Sequence, residues 1–318
     1  MVIDLLTNAL HQTTSLRFRL RVRLTGDTLG EALGILSGTC AVFLAILREK
    51  PVTTKLEAIR VRMLRHFPRM NAAYAHRRRD YCIAGFTFLC VGLSSMFEMS
   101  ASIERQYAMG AIAWAALGGL LIGESRETRM QVVIAVLFAT IGEHVASLYM
   151  GGYTYRFENV PAYVPPGHGM VYLTAIALAR SGLFVRYARE IASGVVLAWG
   201  AWSLWGLSQF TEQRDSLGAL LFGVFMACLV FGRSPMVYLA AFFITTWLEI
   251  LGTAAGAWKW AAIDPVLGLS QGNPPSGVAA WYCLVDAVAI GGAGPSLRGL
   301  QRAGKWCQSW GFSVRTDG

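Results

Sequence analysis

The sequence predicts an all-α fold: a polytopic transmembrane helical bundle of about eight or nine spans, built as two parallel four-helix repeats plus an N-terminal extra element. Three observations predict it. The 318 residues are 54% hydrophobic and only 15% charged, with a mean hydropathy of +0.45, whereas soluble domains carry about 25% charged residues. Apolar runs recur at the length that crosses a bilayer's hydrocarbon, roughly 17–25 residues. The later half of the chain also repeats a pattern found in the earlier half.

The candidate spans are 30–47, 81–99, 107–123, 130–150, 169–187, 191–209, 216–232, 236–257 and 276–293. The first is the weakest, since it begins at Glu31 and contains Gly34, Ser37 and Gly38. Basic residues crowd one set of loops: Arg60, Arg62, Arg65, Arg69 and the HRRRD run, then Arg126, Arg129, Arg186, Arg189 and Arg233, then Arg298, Arg302 and Lys305. The opposite loops hold Arg105, Arg156, Arg214 and Lys259. The positive-inside rule puts the first set, with the C-terminus, in the cytoplasm. The expected location is therefore the bacterial inner membrane, with both Pro-Pro loops facing outward.

Four units follow from this order. Residues 1–80 form a basic, amphipathic region with one weak span, and 81–189 and 190–297 form the two repeats. Residues 298–318 form a cytoplasmic tail. The arginines at 17, 19, 21 and 23 follow the first apolar stretch, the reverse of a signal peptide's order. They also precede 30–47, so a full span there runs against the charge rule. Within 48–80, KLEAIRVRMLRHF reads equally as a helix on the membrane surface and as a solvated connector. The net charge of +9 lies in these loops, so no nucleic-acid partner is expected. The six cysteines show no C-x-x-C spacing and read as small buried residues.

The repeat is an ordered match. Glu143 is followed by GGYTY, Pro161, PPGHG and a helix with Tyr172; Glu249 is followed by GAWKW, Pro265, NPPSG and a helix with Trp281 and Tyr282. Equivalent positions are four helices apart, so the copies share one topology, related by an axis along the membrane normal. The aromatic-x-aromatic pairs at the helix ends fit an interfacial belt.

Glu143 and Glu249 are the candidate catalytic residues, since a carboxylate two or three turns inside a span is costly and is normally paired, protonated or functional. The structural alternative is a hydrogen bond to Ser147, or to Thr245 or Thr253. Tyr153, Tyr155, Trp258 and Trp260 are expected to line the mouth of a substrate cavity. His144 and His168 join them as substrate-contacting candidates. Hydrogen bonding is their main reading, a metal or haem role the minority one, and no metal site is assigned. Arg180 and Asp286 occur mid-span in equivalent helices and are expected to form a structural ion pair.

The run Glu249-x-x-Gly252-x-x-x-Gly256-x-Trp258-x-Trp260 resembles a motif of the membrane carotenoid hydratases of carotenoid biosynthesis, and EHVASLYMGGYTY (Glu143–Tyr155) is similar to it. Trp replaces Tyr in the second copy, and the spacing is a helical turn shorter than in that family. GNPPSG is similar to a run in bacterial multipass proteins. The resemblance implies a lipophilic isoprenoid or polyene substrate, with the two Glu as acid and base. A transporter or lipid flippase, and a non-catalytic subunit of a membrane complex, remain alternatives. Membrane lipids, a lipophilic small molecule, and a membrane-protein partner or second copy are the expected partners; no cofactor is specified.

Overall fold

The computed structural model describes residues 58, 61–67, 78–208, 211 and 213–309, with side chains to 303. The candidate span 30–47, most of 48–80 and the end of the tail lie outside the described residues. Helices dominate: α1 (Arg78–Glu98), α2 (Ile103–Leu121), α3 (Arg126–Glu143) continued by a π-helical turn (His144–Tyr149), α4 (Val164–Arg180), α5 (Gly182–Arg186), α6 (Ala188–Gly206), α7 (Ser216–Phe231), α8 (Pro235–Ala254) and α9 (Ala279–Ser309). Three segments are long and apolar enough to cross a membrane: Arg78–Glu98, Arg126–Tyr149 and Pro235–Ala254. Ser216–Phe231 is a shorter apolar helix. These point to a membrane protein, as do outward apolar side chains such as Ile112 (69% exposed), Leu197 (74%) and Leu204 (70%), which would be costly against water.

Local chemistry sets the helix ends. Ser102 and Ser125 accept the amides of Arg105 and Thr128 at the starts of α2 and α3, satisfying donors that have no partner inside the helix. Proline occupies the first turn of α4 and of α8, where its missing N–H costs nothing. Asp215 caps α7 and does more. Its Oδ1 accepts Gly218 N at 3.0 Å and Gly272 N at 2.7 Å, and its Oδ2 accepts Ser276 N at 2.7 Å. The GNPPSG loop is thereby tied to the start of α7. Gly277 then packs on that helix so closely that a Cβ would fall 2.0 Å from Phe222 N.

The expected all-helical fold is interrupted by a small ribbon. β1 (Tyr153–Tyr155) and β2 (Trp258–Trp260) pair antiparallel, with Tyr153 opposite Trp260, Thr154 opposite Lys259 and Tyr155 opposite Trp258. Gly151 (φ +71°) and Gly256 (φ +65°), each two residues before its strand, turn the chain from helix into ribbon in a conformation that glycine adopts without a Cβ clash. The outer residues of each strand are buried and the central one is exposed. The aromatic pairs are therefore buried over the bundle rather than spread in an interfacial belt, because backbone pairing fixes which way they face.

α4 lies at the centre, packed against α1, α2, α3 and α8, while α9 packs against α3, α7 and α8. The expected span 169–187 breaks at Ser181, and 276–293 continues through Pro295 as one helix to Ser309. The expected Arg180–Asp286 pair does not form. Arg180 is the last residue of α4 and binds Asp80 (Nε to Oδ1, 2.8 Å) and both oxygens of Glu124 (3.0 and 2.8 Å). Arg180 meets the first turn of α1 and the α2–α3 turn at the end remote from the ribbon, whereas Asp286 is buried two turns into α9, a helix that starts beyond the ribbon. Depth in the bundle separates the two.

Candidate functional site

Glu143 closes the regular part of α3. Its backbone carbonyl accepts the Ser147 hydroxyl at 2.8 Å, so that serine leaves the carboxylate free. Oε2 of the carboxylate accepts the Tyr153 hydroxyl at 2.5 Å and the Tyr155 hydroxyl at 2.7 Å. Its Oε1 lies 2.8 Å from His168 Nε2, one turn into α4. The π-helical turn and Gly151 bring the ribbon back over the carboxylate, and π-helical insertions of this kind are frequent at functional sites. Burial first, then the Glu143 carboxylate, pushes both tyrosine phenols far above their ordinary range. They remain hydrogen-bond donors.

Glu249 is built the same way with different donors. Its Oε2 accepts the Trp258 and Trp260 indole N–H groups, each at 3.1 Å. Glu249 and Gly252 are three residues apart and share a helix face. A Cβ at Gly252 would sit 1.8 Å from the Trp258 ring, so the glycine is what lets that indole slide beneath the carboxylate. Thr253 donates to the Glu249 backbone carbonyl at 2.7 Å, again leaving the carboxylate to the aromatic donors. The Tyr282 hydroxyl stands beside Glu249, and its ring stacks on His168 at 5.7 Å. Glu143 and His168 in turn lie near enough to act electrostatically on Glu249.

Both carboxylates, His168 and the four ribbon aromatics line one cavity of about 770 Å³. The rest of its wall is mostly apolar and reaches outward to Phe97 and Ile112, 64% and 69% exposed. That composition suits a lipophilic guest held by a few convergent polar groups.

His144 is not part of this site. It is exposed, and its Nδ1 pairs with the Thr140 carbonyl at 2.8 Å; adjacency to Glu143 turns it about 100° round the helix, away from the cavity. Among the described residues, no three His, Cys, Asp or Glu side chains are grouped to hold a metal ion. Two lining residues, Tyr282 and Glu98, escape a reading of the sequence for site residues. Tyr282 belongs to the repeated motif and was detectable there. Glu98 sits at the end of an apolar run beside a short loop, where a carboxylate passes for a surface residue.

No protein-family model, curated protein or solved structure matches this chain.

Proposed function

We propose that the chain is an inner-membrane protein of eight core spans in two parallel repeats, preceded by an N-terminal element, with the ribbon end outside and the C-terminus in the cytoplasm. Its cavity binds a lipophilic isoprenoid or polyene and performs acid–base chemistry on it. The observation that carries this reading is the convergence of Glu143, paired with His168, and Glu249, clamped by two indoles, on one apolar cavity.

The ribbon supports the repeat. Arg156 N donates to the Ala257 carbonyl and Ala261 N donates to the Gly152 carbonyl, each at 3.0 Å. A twofold axis through the Thr154–Lys259 pair exchanges these two bonds, and the aromatics of each strand donate to the Glu of the helix before it. Packing of α4 on α8 has its counterpart in α9 on α3.

In the proposed chemistry, the Glu143–His168 pair delivers a proton to one carbon of a substrate double bond, leaving a carbocation at the other. The tyrosine and tryptophan faces stabilise that cation. Water adds to it, and Glu249 takes the proton released from the resulting oxonium, giving an alcohol. The resemblance of Glu143–Tyr155 and Glu249–Trp260 to the carotenoid hydratase motif favours this class of reaction. The test is incubation of the full chain in proteoliposomes with an acyclic carotenoid in ¹⁸O-labelled water. A product heavier by one labelled water is expected, and it should be lost in Glu143→Gln and in Glu249→Gln. Absence of product from the wild type, or product from both variants, overturns the reading.

A second reading rests on the cavity's reach to exposed Phe97 and Ile112. A lipid flippase would use this opening, returning the substrate unchanged with accompanying proton flux.

A further inference from the structure

We infer that Glu98 forms a separate anchoring subsite in the same cavity, one that recognises the hydroxyl group of a lipophilic alcohol. This inference rests on the cavity being a lipid-binding site, and it identifies the kind of lipid.

Glu98 is the last residue of α1 and only 1% exposed. It lines the cavity together with Ser95 and Tyr163. Its two oxygens are used differently. Oε1 accepts the Gln106 amide N–H at 2.7 Å. Gln106, also 1% exposed, is held in that orientation because its own Oε1 accepts the Asn159 amide at 3.1 Å. Oε2 of Glu98 is buried and has no hydrogen-bond partner.

The nearby cation does not fill the vacancy. Arg156 spends its guanidinium on the carbonyls of Met99 (2.8 Å), Ala255 (2.6 Å) and Gly256 (3.3 Å). The Tyr163 hydroxyl lies beside the carboxylate, near enough to act on it as a hydrogen-bond donor, and it frames the pocket. A buried carboxylate oxygen left unmatched is costly, and here a relay from Asn159 through Gln106 fixes the carboxylate in place. A carboxylate oxygen can accept two hydrogen bonds, so the arrangement is a pre-positioned acceptor open to a donor from the cavity.

One proton on the guest satisfies it. An ammonium would bring three protons and a second positive charge beside Arg156, whose charge already acts on this carboxylate. A hydroxyl fits the available chemistry, while the apolar walls take the hydrocarbon chain.

The test is titration of the full chain in nanodiscs with geranylgeraniol and with its methyl ether, read by quenching of tryptophan fluorescence, since Trp258 and Trp260 line the cavity. The ether keeps the oxygen and the chain and lacks only the proton. The wild type should bind the alcohol at least tenfold more tightly. In Glu98→Gln, the side-chain oxygen faces Gln106 and the amide N–H₂ faces the cavity, so the preference should vanish or invert. Equal binding of alcohol and ether by the wild type overturns the subsite and leaves the lipophilic cavity standing. A preference that survives in Glu98→Gln does the same. Failure of both compounds to bind overturns the subsite and the lipid-binding reading together. Should Glu98→Gln not fold, Gln106→Leu, which removes the amide that fixes the carboxylate, should weaken the preference, and an unchanged preference there overturns the subsite.

Discussion

His168 Nε2 stands 2.8 Å from Glu143 Oε1, and Glu249 has no histidine in the corresponding place. Counted from the Pro-Pro pair, the matching position in the second half is Gly277, and the backbone of its neighbour Ser276 is held by Asp215 while the Ser276 hydroxyl accepts from Ser203 at 3.0 Å. Two carboxylates with parallel surroundings are thus unequal: phenols and an imidazole meet Glu143, and indoles meet Glu249. Coupling between His168 and Glu143 should be measurable in a double-mutant cycle with His168→Ala and Glu143→Gln. Thermal unfolding in detergent should give an interaction energy of about 1–3 kcal/mol, the range for a buried charge-assisted hydrogen bond. A value near zero would mean that the pair contributes nothing to holding the cavity.

Gly252 should tolerate no side chain. With a Cβ placed 1.8 Å from the Trp258 ring, Gly252→Ala must displace the indole and break its bond to Glu249. A loss of about 1–3 kcal/mol is expected for overpacking of this kind, together with a change in tryptophan emission. Trp258→Phe in the same background should recover part of the loss. No change in emission on Gly252→Ala would refute the packing described.

The charged cluster remote from the ribbon should respond to acid. The Arg180 guanidinium, with help from Arg79, holds the Glu124 carboxyl below the usual carboxylate range. A carboxyl depressed in the folded state adds stability above its unfolded value, about 4.3, and loses it as pH falls through the folded value. Melting temperatures of the wild type should therefore fall as pH drops below about 4. Glu124→Gln should be less stable at neutral pH and show a flatter profile below about pH 4. Parallel profiles for the two proteins would show that Glu124 contributes no such linkage.

Much of the bundle can be read from the sequence because apolar runs report helices directly. Arg78–Glu98, Arg126–Tyr149 and Pro235–Ala254 coincide closely with expected spans, and the two Glu stand out because charge is rare in such runs. The ribbon is harder to foresee. Three-residue strands have too little periodicity to register, and their pairing joins Tyr153 to Trp260 across more than a hundred intervening residues. The partners of Arg180 are hidden from the sequence for a related reason: Asp80 and Glu124 lie in sequence regions that read as basic loops, and only the packing of α1 and the α2–α3 turn on α4 brings them to it. The sequence offers His144 and His168 alike as candidate contacts, and the faces of α3 and α4 separate them. Glu98 was hidden by its position, because burial at a helix end depends on what packs over it.

The β1–β2 ribbon has a mechanical consequence. It fastens the segment after α3 to the segment after α8 by backbone hydrogen bonds, with four interleaved rings beneath it. A motion that parted the two segments at that end would break the strand register and pull the donors off both carboxylates at once. The ribbon therefore acts as a fixed lintel over the chamber, whose wall reaches the surface sideways, beside Phe97 and Ile112.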